Sequence, residues 1–190
     1  MRQNQSKRAL HGFQFNVAQL LKEVTGATRS YDIKTEAVSE LDEAVKIIAP
    51  ITGHIRLLRT GSNVLVTGLL KTTFKKVCGR CLVEFAVPVT LELEEEFYPT
   101  LDIFSGAALP ISPEADEANR IDERHILDLW EVVRQGFLLA SDEFLYCRPD
   151  CKGFCPHCGQ DLNLKSCNCQ DEMVDPRWAA LQTFHPLKED

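Results

Sequence analysis

Val66-Thr-Gly-Leu-Leu-Lys-Thr-Thr-Phe74-Lys-Lys-Val-Cys78-Gly-Arg-Cys81-Leu-Val-Glu-Phe85-Ala-Val-Pro-Val-Thr-Leu91-Glu-Leu93 reads as a β-hairpin whose register can be written down. If Gly79-Arg80 is a two-residue turn, Phe74 faces Phe85, Thr72 faces Val87, Leu70 faces Val89, Gly68 faces Leu91 and Val66 faces Leu93. Side chains alternate between the two sides of a strand, so this pairing makes one face almost wholly apolar. The other face sets Lys75 against Glu84 and Thr67 against Glu92, a surface that suits water. Cys78 and Cys81 then sit opposite each other at the tip.

The tip pair is one of four. Cys78/Cys81, Cys147/Cys151, Cys155/Cys158 and Cys167/Cys169 account for all eight cysteines, and six of them fall between Cys147 and Cys169. A C-x2-C disulfide is strained, whereas the same spacing wraps around a tetrahedral Zn2+ ion. A reducing cytoplasm keeps thiols free and favours metal over disulfide. Met1-Arg2-Gln3-Asn4-Gln5 leads into no apolar signal core, which points to a cytoplasmic chain. Eight thiols make two closed four-ligand sets and predict two Zn2+ per chain. In Cys155-Pro-His-Cys158-Gly, Gly159 permits the backbone turn that aims amides at sulfur, and Cys167-Asn-Cys169 follows closely enough to complete a local set. Cys78/Cys81 would then meet Cys147/Cys151 and tie together segments distant in sequence. The rival partition has the six C-terminal cysteines competing for one ion and leaves the hairpin pair free or redox-active. Strands rather than a strand and a helix N-terminus flank Cys78-Gly-Arg-Cys81, which fits a thioredoxin-like role poorly. His157 reads as a spacer within the knuckle. A knuckle at the tip would also distort an ideal turn, so a bulge would move the register.

Asn16-Val-Ala-Gln19 reads as a capping box opening a short helix with Val17, Leu20, Leu21 and Val24 on one side, stopped near Gly26. Ile51 to Arg59 alternates as a strand, and Gly61-Ser62-Asn63 turns into the next one. Residues 98–119, with Pro99, Gly106, Pro110 and Pro113, read as a mobile acidic loop. Residues 121–127 return to the sheet. Asp128-Leu-Trp-Glu131 then forms a second capping box before a helix with Leu129, Val132, Val133 and Phe137 toward the core, and with Trp130 packed rather than functional. Asp175-Pro176 starts a last helix carrying Trp178, Leu181 and Phe184. The fold class is therefore α+β: an antiparallel β-sheet built around a long hairpin, flanked by short helices. Residues 1–146 form the core and 147–190 a cysteine-rich zinc-knuckle segment with a terminal helix.

Charge divides unevenly. Residues 1–81 hold 13 Lys and Arg against 6 Asp and Glu, while the whole chain carries −7. From Ala44 to Val83 no residue is acidic, and Arg56, Arg59, Lys71, Lys76 and Arg80 become candidate contacts to RNA phosphate. The alternative is that these cations face the glutamates of the next strand or offset the charge of a four-thiolate site. No aromatic-rich platform for single strands is visible along the sequence. Catalysis has little footing: there is no H-E-x-x-H, no G-x-S-x-G and no phosphate-binding glycine loop, and closed thiolate sites hold structure rather than activate water. Neither a membrane span nor a small-molecule site is evident.

Leu129–Leu139, Cys147-x3-Cys151-Lys-Gly-Phe-Cys155-Pro-x-Cys158-Gly-x-Asp-Leu-Asn163, Cys167-x-Cys169 and Asp175-Pro-Arg177-Trp, together with the Cys78-x2-Cys81 hairpin, resemble the YceD-like family of large-ribosomal-RNA accumulation proteins. The resemblance implies a cytoplasmic bacterial or organellar protein, without known enzymatic activity, needed for 23S ribosomal RNA accumulation. It also implies that the two cysteine sets are separable, since some members keep only the hairpin pair and lack the Cys155–Cys169 extension. The expected partner is 23S ribosomal RNA or a protein that processes it. The other readings are a zinc-stabilised protein adaptor without RNA contact and a thiol-redox sensor.

Overall fold

The computed structural model describes residues 12–35, 45–110, 116–141, 146–169 and Arg177. Its longest elements are β5 (Asn63–Val77) and β6 (Glu84–Pro99), which pair antiparallel along nearly their whole length. In β5, Val64, Val66, Leu70 and Phe74 are buried, and Thr72 joins them by donating its hydroxyl to the Ala49 carbonyl at 2.9 Å. In β6 the same face carries Leu91, Leu93 and Phe97. The period of two thus turns a run of β-branched, aromatic and leucine residues into one dry face and one wet face.

Four further strands extend this sheet. β4 (Thr52–Thr60) lies on the other side of β5, joined to it through Gly61 and Ser62, where φ of +71° at Gly61 suits a residue without Cβ. β2 (Thr28–Lys34) forms the edge beyond β4, and β3 (Lys46–Ile47) pairs with β5 past the end of β4. β7 (Arg120–Ile121) joins β6 in parallel, so the sheet is mixed rather than antiparallel throughout. β1 (Gln14–Asn16) and β8 (Ile126–Asp128) make a separate two-stranded ladder. Two helices, α1 (Ala18–Lys22) and α2 (Trp130–Leu139), supply Leu20, Leu21, Val132, Val133 and Phe137 to the buried cluster. Phe137 meets Phe74 edge-on with ring centroids 5.8 Å apart. A Cβ on Gly136 would lie 2.7 Å from Leu91 Cδ1, which is how closely α2 approaches β6.

Several local expectations shift. The β5–β6 register is displaced by two residues from the ideal hairpin, so Phe74 faces Val87, Gly68 faces Leu93 and Leu70 faces Leu91. The cause is the tip. Cys78–Val83 form a wide loop closed by Cys78 N–H to Val83 O (2.9 Å) and Leu82 N–H to Cys78 O (3.0 Å), with Leu82 in the left-handed region at φ 56°. A displacement of two leaves every side chain on its expected face. Lys75 still forms an ion pair with Glu84, now on the diagonal.

Both capping residues act one step earlier than the box pattern implies. Asn16 and Asp128 end strands, and their side chains accept from Ala18 N–H (3.0 Å) and Trp130 N–H (3.0 Å). α1 stops at Lys22, leaving Val24 81% exposed instead of in the core. Trp130 packs partly buried against the core, 5.5 Å from the Phe13 ring. Within residues 98–110, Leu101 bridges to Ala108 around Asp102, whose carboxylate accepts from Ser105 N–H at 2.8 Å. Residues 111–115 and the helix expected at 176–184, Arg177 apart, lie outside the described residues.

Replacing Phe74 by Ala removes a fully buried ring at the contact between sheet and α2, and large-to-small changes of this kind cost about 3–5 kcal/mol. Chemical denaturation should register that loss. Lys75→Ala, which removes a partly exposed ion pair, should change stability by less than about 1 kcal/mol.

Candidate metal centre

The tip of the β5–β6 ribbon carries Cys78 and Cys81, and the segment after α2 brings Cys147 and Cys151 against them. Cys78 Sγ lies 3.8 Å from Cys151 Sγ, and Cys81 Sγ lies 3.6 Å from Cys147 Sγ. Sulfurs bound at about 2.3 Å to one tetrahedral ion stand roughly 3.8 Å apart, whereas a disulfide would bring them to about 2.05 Å. Cys155, Cys158, Cys167 and Cys169 form a second group, and within each group all four sulfurs lie within 4.8 Å of one another. The structure therefore sorts the eight cysteines into one long-range set and one local set. His157 is exposed and belongs to neither.

Backbone conformation brings the sulfurs together. Gly159, at φ +72°, donates its N–H to Cys155 O at 2.9 Å and closes the second knuckle. Gly153, at φ +71°, runs directly beneath the hairpin tip: a Cβ there would meet Arg80 O at 2.7 Å. Phe154 N–H donates to the same carbonyl at 3.2 Å. Arg80 in turn donates from its guanidinium to Cys151 O (2.8 Å) and lies 4.0 Å from the centre of the Tyr146 ring. Asn163 links the two groups. Its side-chain oxygen accepts from Lys152 N–H (2.9 Å) and from the Arg148 guanidinium (2.8 Å), while its amide points at Cys151 Sγ at 3.7 Å.

The electrostatics of both groups call for a cation. Burial pushes the Cys78 thiol up, but the backbone amides of Cys81, Cys147 and Arg80 outweigh it and bring the group down to about 6. The amides of Cys158 and His157 bring Cys155 down to about 6 as well, against burial. Their neighbours move the other way: Cys147 is pushed up to about 12 by burial and by the thiols of Cys81, Cys78 and Cys151, and Cys169 to about 12, first by Cys158 and then by burial. One sulfur in each group is prepared to be a thiolate, and its charge opposes ionisation of the rest. A divalent ion among them removes that conflict, because coordination deprotonates thiols outright.

The five basic residues singled out from the sequence do not gather on one surface. Arg56 and Lys71 are exposed and share the wet face of the sheet, four ladder positions apart. Arg59, directly opposite the buried Val64, donates to Gly61 O at 2.8 Å at one end of the ribbon. Lys76 donates to Ser141 Oγ near the other end, and Arg80 is engaged at the tip as described. Two positions that pattern reading passed over matter to the site. Asn163 and Tyr146 carry no metal-ligand or nucleic-acid signature of their own, and only their sequence proximity to cysteines marks them.

The buried apolar cluster contains no cysteine, so the long-range sulfur group fastens the C-terminal segment to a sheet that has its own core. Cys78→Ser should release the segment from the hairpin tip, seen as loss of amide hydrogen-exchange protection at Cys151 and Phe154, with protection in β4 and β5 and inside the local group at Cys155 and Leu162 retained. Cys158→Ser should lose protection only from Cys155 onward, because its sulfur partners are local. Equal losses in the two variants would contradict the division into two groups.

A family model described as large ribosomal RNA subunit accumulation protein YceD matches residues 66–185. Uncharacterized proteins of Mycobacterium bovis and Mycobacterium tuberculosis are each 34% identical to the chain over 128 residues, covering 67% of it. The chain spans 58% of the length of each of these two relatives. A maize protein named large ribosomal RNA subunit accumulation protein YCED homolog 1, chloroplastic, is 26% identical over 161 residues, or 73% of this chain and 53% of its own length. No solved structure matches. The match runs from near the start of β5 through both sulfur groups, and the chain belongs to the YceD family of large ribosomal RNA subunit accumulation proteins.

Proposed function

We propose that the protein is a non-enzymatic ribosome biogenesis factor of the cytoplasm that supports accumulation or processing of 23S ribosomal RNA, with two structural Zn2+ ions. The observation that carries the reading is the family match across a region holding both four-cysteine groups. Zinc is the metal of choice for four thiolates in a closed tetrahedral set, and such a set has no open position for catalysis. Cys78, Cys81, Cys147 and Cys151 hold one ion, and Cys155, Cys158, Cys167 and Cys169 the other. No described helix is long and apolar enough to cross a membrane.

A second reading, a zinc-stabilised adaptor that binds an RNA-processing protein, draws on the placement of the basic residues. Arg59, Lys76 and Arg80 each donate to a group of this chain, and the wet sheet face that carries Arg56 and Lys71 also carries Glu92 and Glu94.

The two readings part in cells. Depletion of the protein should lower 23S relative to 16S RNA under either. Rescue with Arg56→Glu/Lys71→Glu should fail if that face meets RNA, with fold and zinc content unchanged, and should succeed fully if it does not. An unaltered 23S to 16S ratio on depletion would remove the biogenesis reading altogether.

A further inference from the structure

Around the long-range sulfur group the chain exposes apolar side chains that other proteins bury. Leu82 is 65% exposed, Tyr146 44% and Phe154 40%, and Val77 and Val83 are exposed beside them in sequence. The hairpin tip and the segment after α2 supply these residues, and Arg80 joins them: its guanidinium lies over the Tyr146 ring and its carbonyl receives the Phe154 N–H. Two half-exposed aromatic residues therefore flank one arginine at the end of the ribbon, an arrangement that is invisible along the sequence.

The Lys, Arg, Asp and Glu side chains at this end lean basic. Residues 71–84 and 146–169 contain seven Lys and Arg against three Asp and Glu, in a chain of net −7. The two zinc-loaded four-thiolate groups would offset this excess in formal charge, but Cys78 and Cys151 are buried and receive Arg80 N–H and the Asn163 amide. Lys152 and Lys165 are exposed at the surface. An aromatic–arginine cluster within a basic surface suits a ligand with flat π-faces and a phosphate backbone. It does not suit a duplex, whose bases are stacked and paired out of reach.

We infer that the metal-fastened tip is a binding surface for unpaired RNA, with Tyr146 and Phe154 stacking against bases and Lys152 and Lys165 meeting phosphates. The inference rests on the ribosomal-RNA reading for its biological setting and places the contact at the tip rather than on the wet sheet face. Sulfur coordination at Cys78, Cys81, Cys147 and Cys151 holds the tip and the C-terminal segment in register, which gives the structural metal a direct part in recognition.

Fluorescence anisotropy with the full zinc-loaded chain and a labelled twelve-nucleotide unstructured RNA tests it, with the same sequence as a duplex for comparison. The single strand should bind more tightly than the duplex, with affinity falling as salt rises. Phe154→Ala and Tyr146→Ala should each weaken binding about tenfold or more, while Tyr146→Phe, which keeps the ring, should stay near wild type. Lys152→Glu should weaken binding and flatten the salt dependence, and Arg56→Glu should leave both unchanged. Zinc content and denaturation midpoint establish that each variant is folded. Wild-type affinity in both ring variants, preference for duplex, or loss of a nuclease-resistant protein partner instead of RNA would overturn the proposal. If the single strand is not bound but depletion still lowers 23S RNA, the tip fails and the biogenesis reading stands; binding without any effect on 23S levels gives the reverse.

Discussion

The placement of residues 146–169 depends on sulfur atoms that approach one another across roughly seventy residues of chain. Cys78 and Cys151 are separated by 73 positions and Cys81 and Cys147 by 66, yet each pair stands at the spacing of ligands on a shared ion. Without a cation the approach is unfavourable, since ionising one thiol opposes ionisation of the next. With one, it becomes a strong cross-link. Structural zinc in isolated peptides contributes about 10 kcal/mol or more, which is comparable to the entire stability of a typical domain.

That cross-link does a different task from the apolar core. Val66, Leu70, Phe74, Leu91, Leu93 and Phe137 hold α2 on the sheet by ordinary burial, and none of them belongs to the C-terminal segment. The segment from Tyr146 to Cys169 offers little to bury: Phe154 and Leu164 are exposed, and its own contacts are turns such as Leu162 N–H to Gly153 O. Metal coordination would substitute for a core that so short a stretch cannot build. Asn163 extends the arrangement by bonding Lys152 and Arg148 from the loop of the local group while pointing its amide at a sulfur of the long-range group. The two centres are separate in ligands but share this one side chain.

Much of this is legible in residue order. The alternation in β5 and β6 gives the faces correctly because a displacement of two residues returns each side chain to the same side. The displacement itself is not legible: Gly79-Arg80 has the composition of a tight turn, and only the need to bring Cys78 and Cys81 toward a common centre explains the wide loop ending at Val83. Asn16 and Asp128 are recognised as caps, while the sequence gives no sign that both also end strands of the same small ladder. The partition of the cysteines follows from chelate-loop length. The grouping of Tyr146, Arg80 and Phe154 does not follow from anything local, because the hairpin tip and the C-terminal segment meet there across the sulfur groups. In the same way the acid-free stretch reads as one basic surface, and the strand period distributes it over two faces and a tip.

The ion proposed to fasten the tip to residues 147–151 would have all-sulfur coordination from Cys78, Cys81, Cys147 and Cys151. X-ray absorption at the zinc edge, on protein purified without chelator, tests it most directly when wild type is compared with a variant in which Cys155, Cys158, Cys167 and Cys169 are all replaced by Ser. The account predicts two zinc ions in the wild type and one in the variant. In the variant, the first shell should be four sulfurs at about 2.3 Å with no nitrogen or oxygen. A variant that binds no zinc, or a first shell containing nitrogen or oxygen, would contradict it.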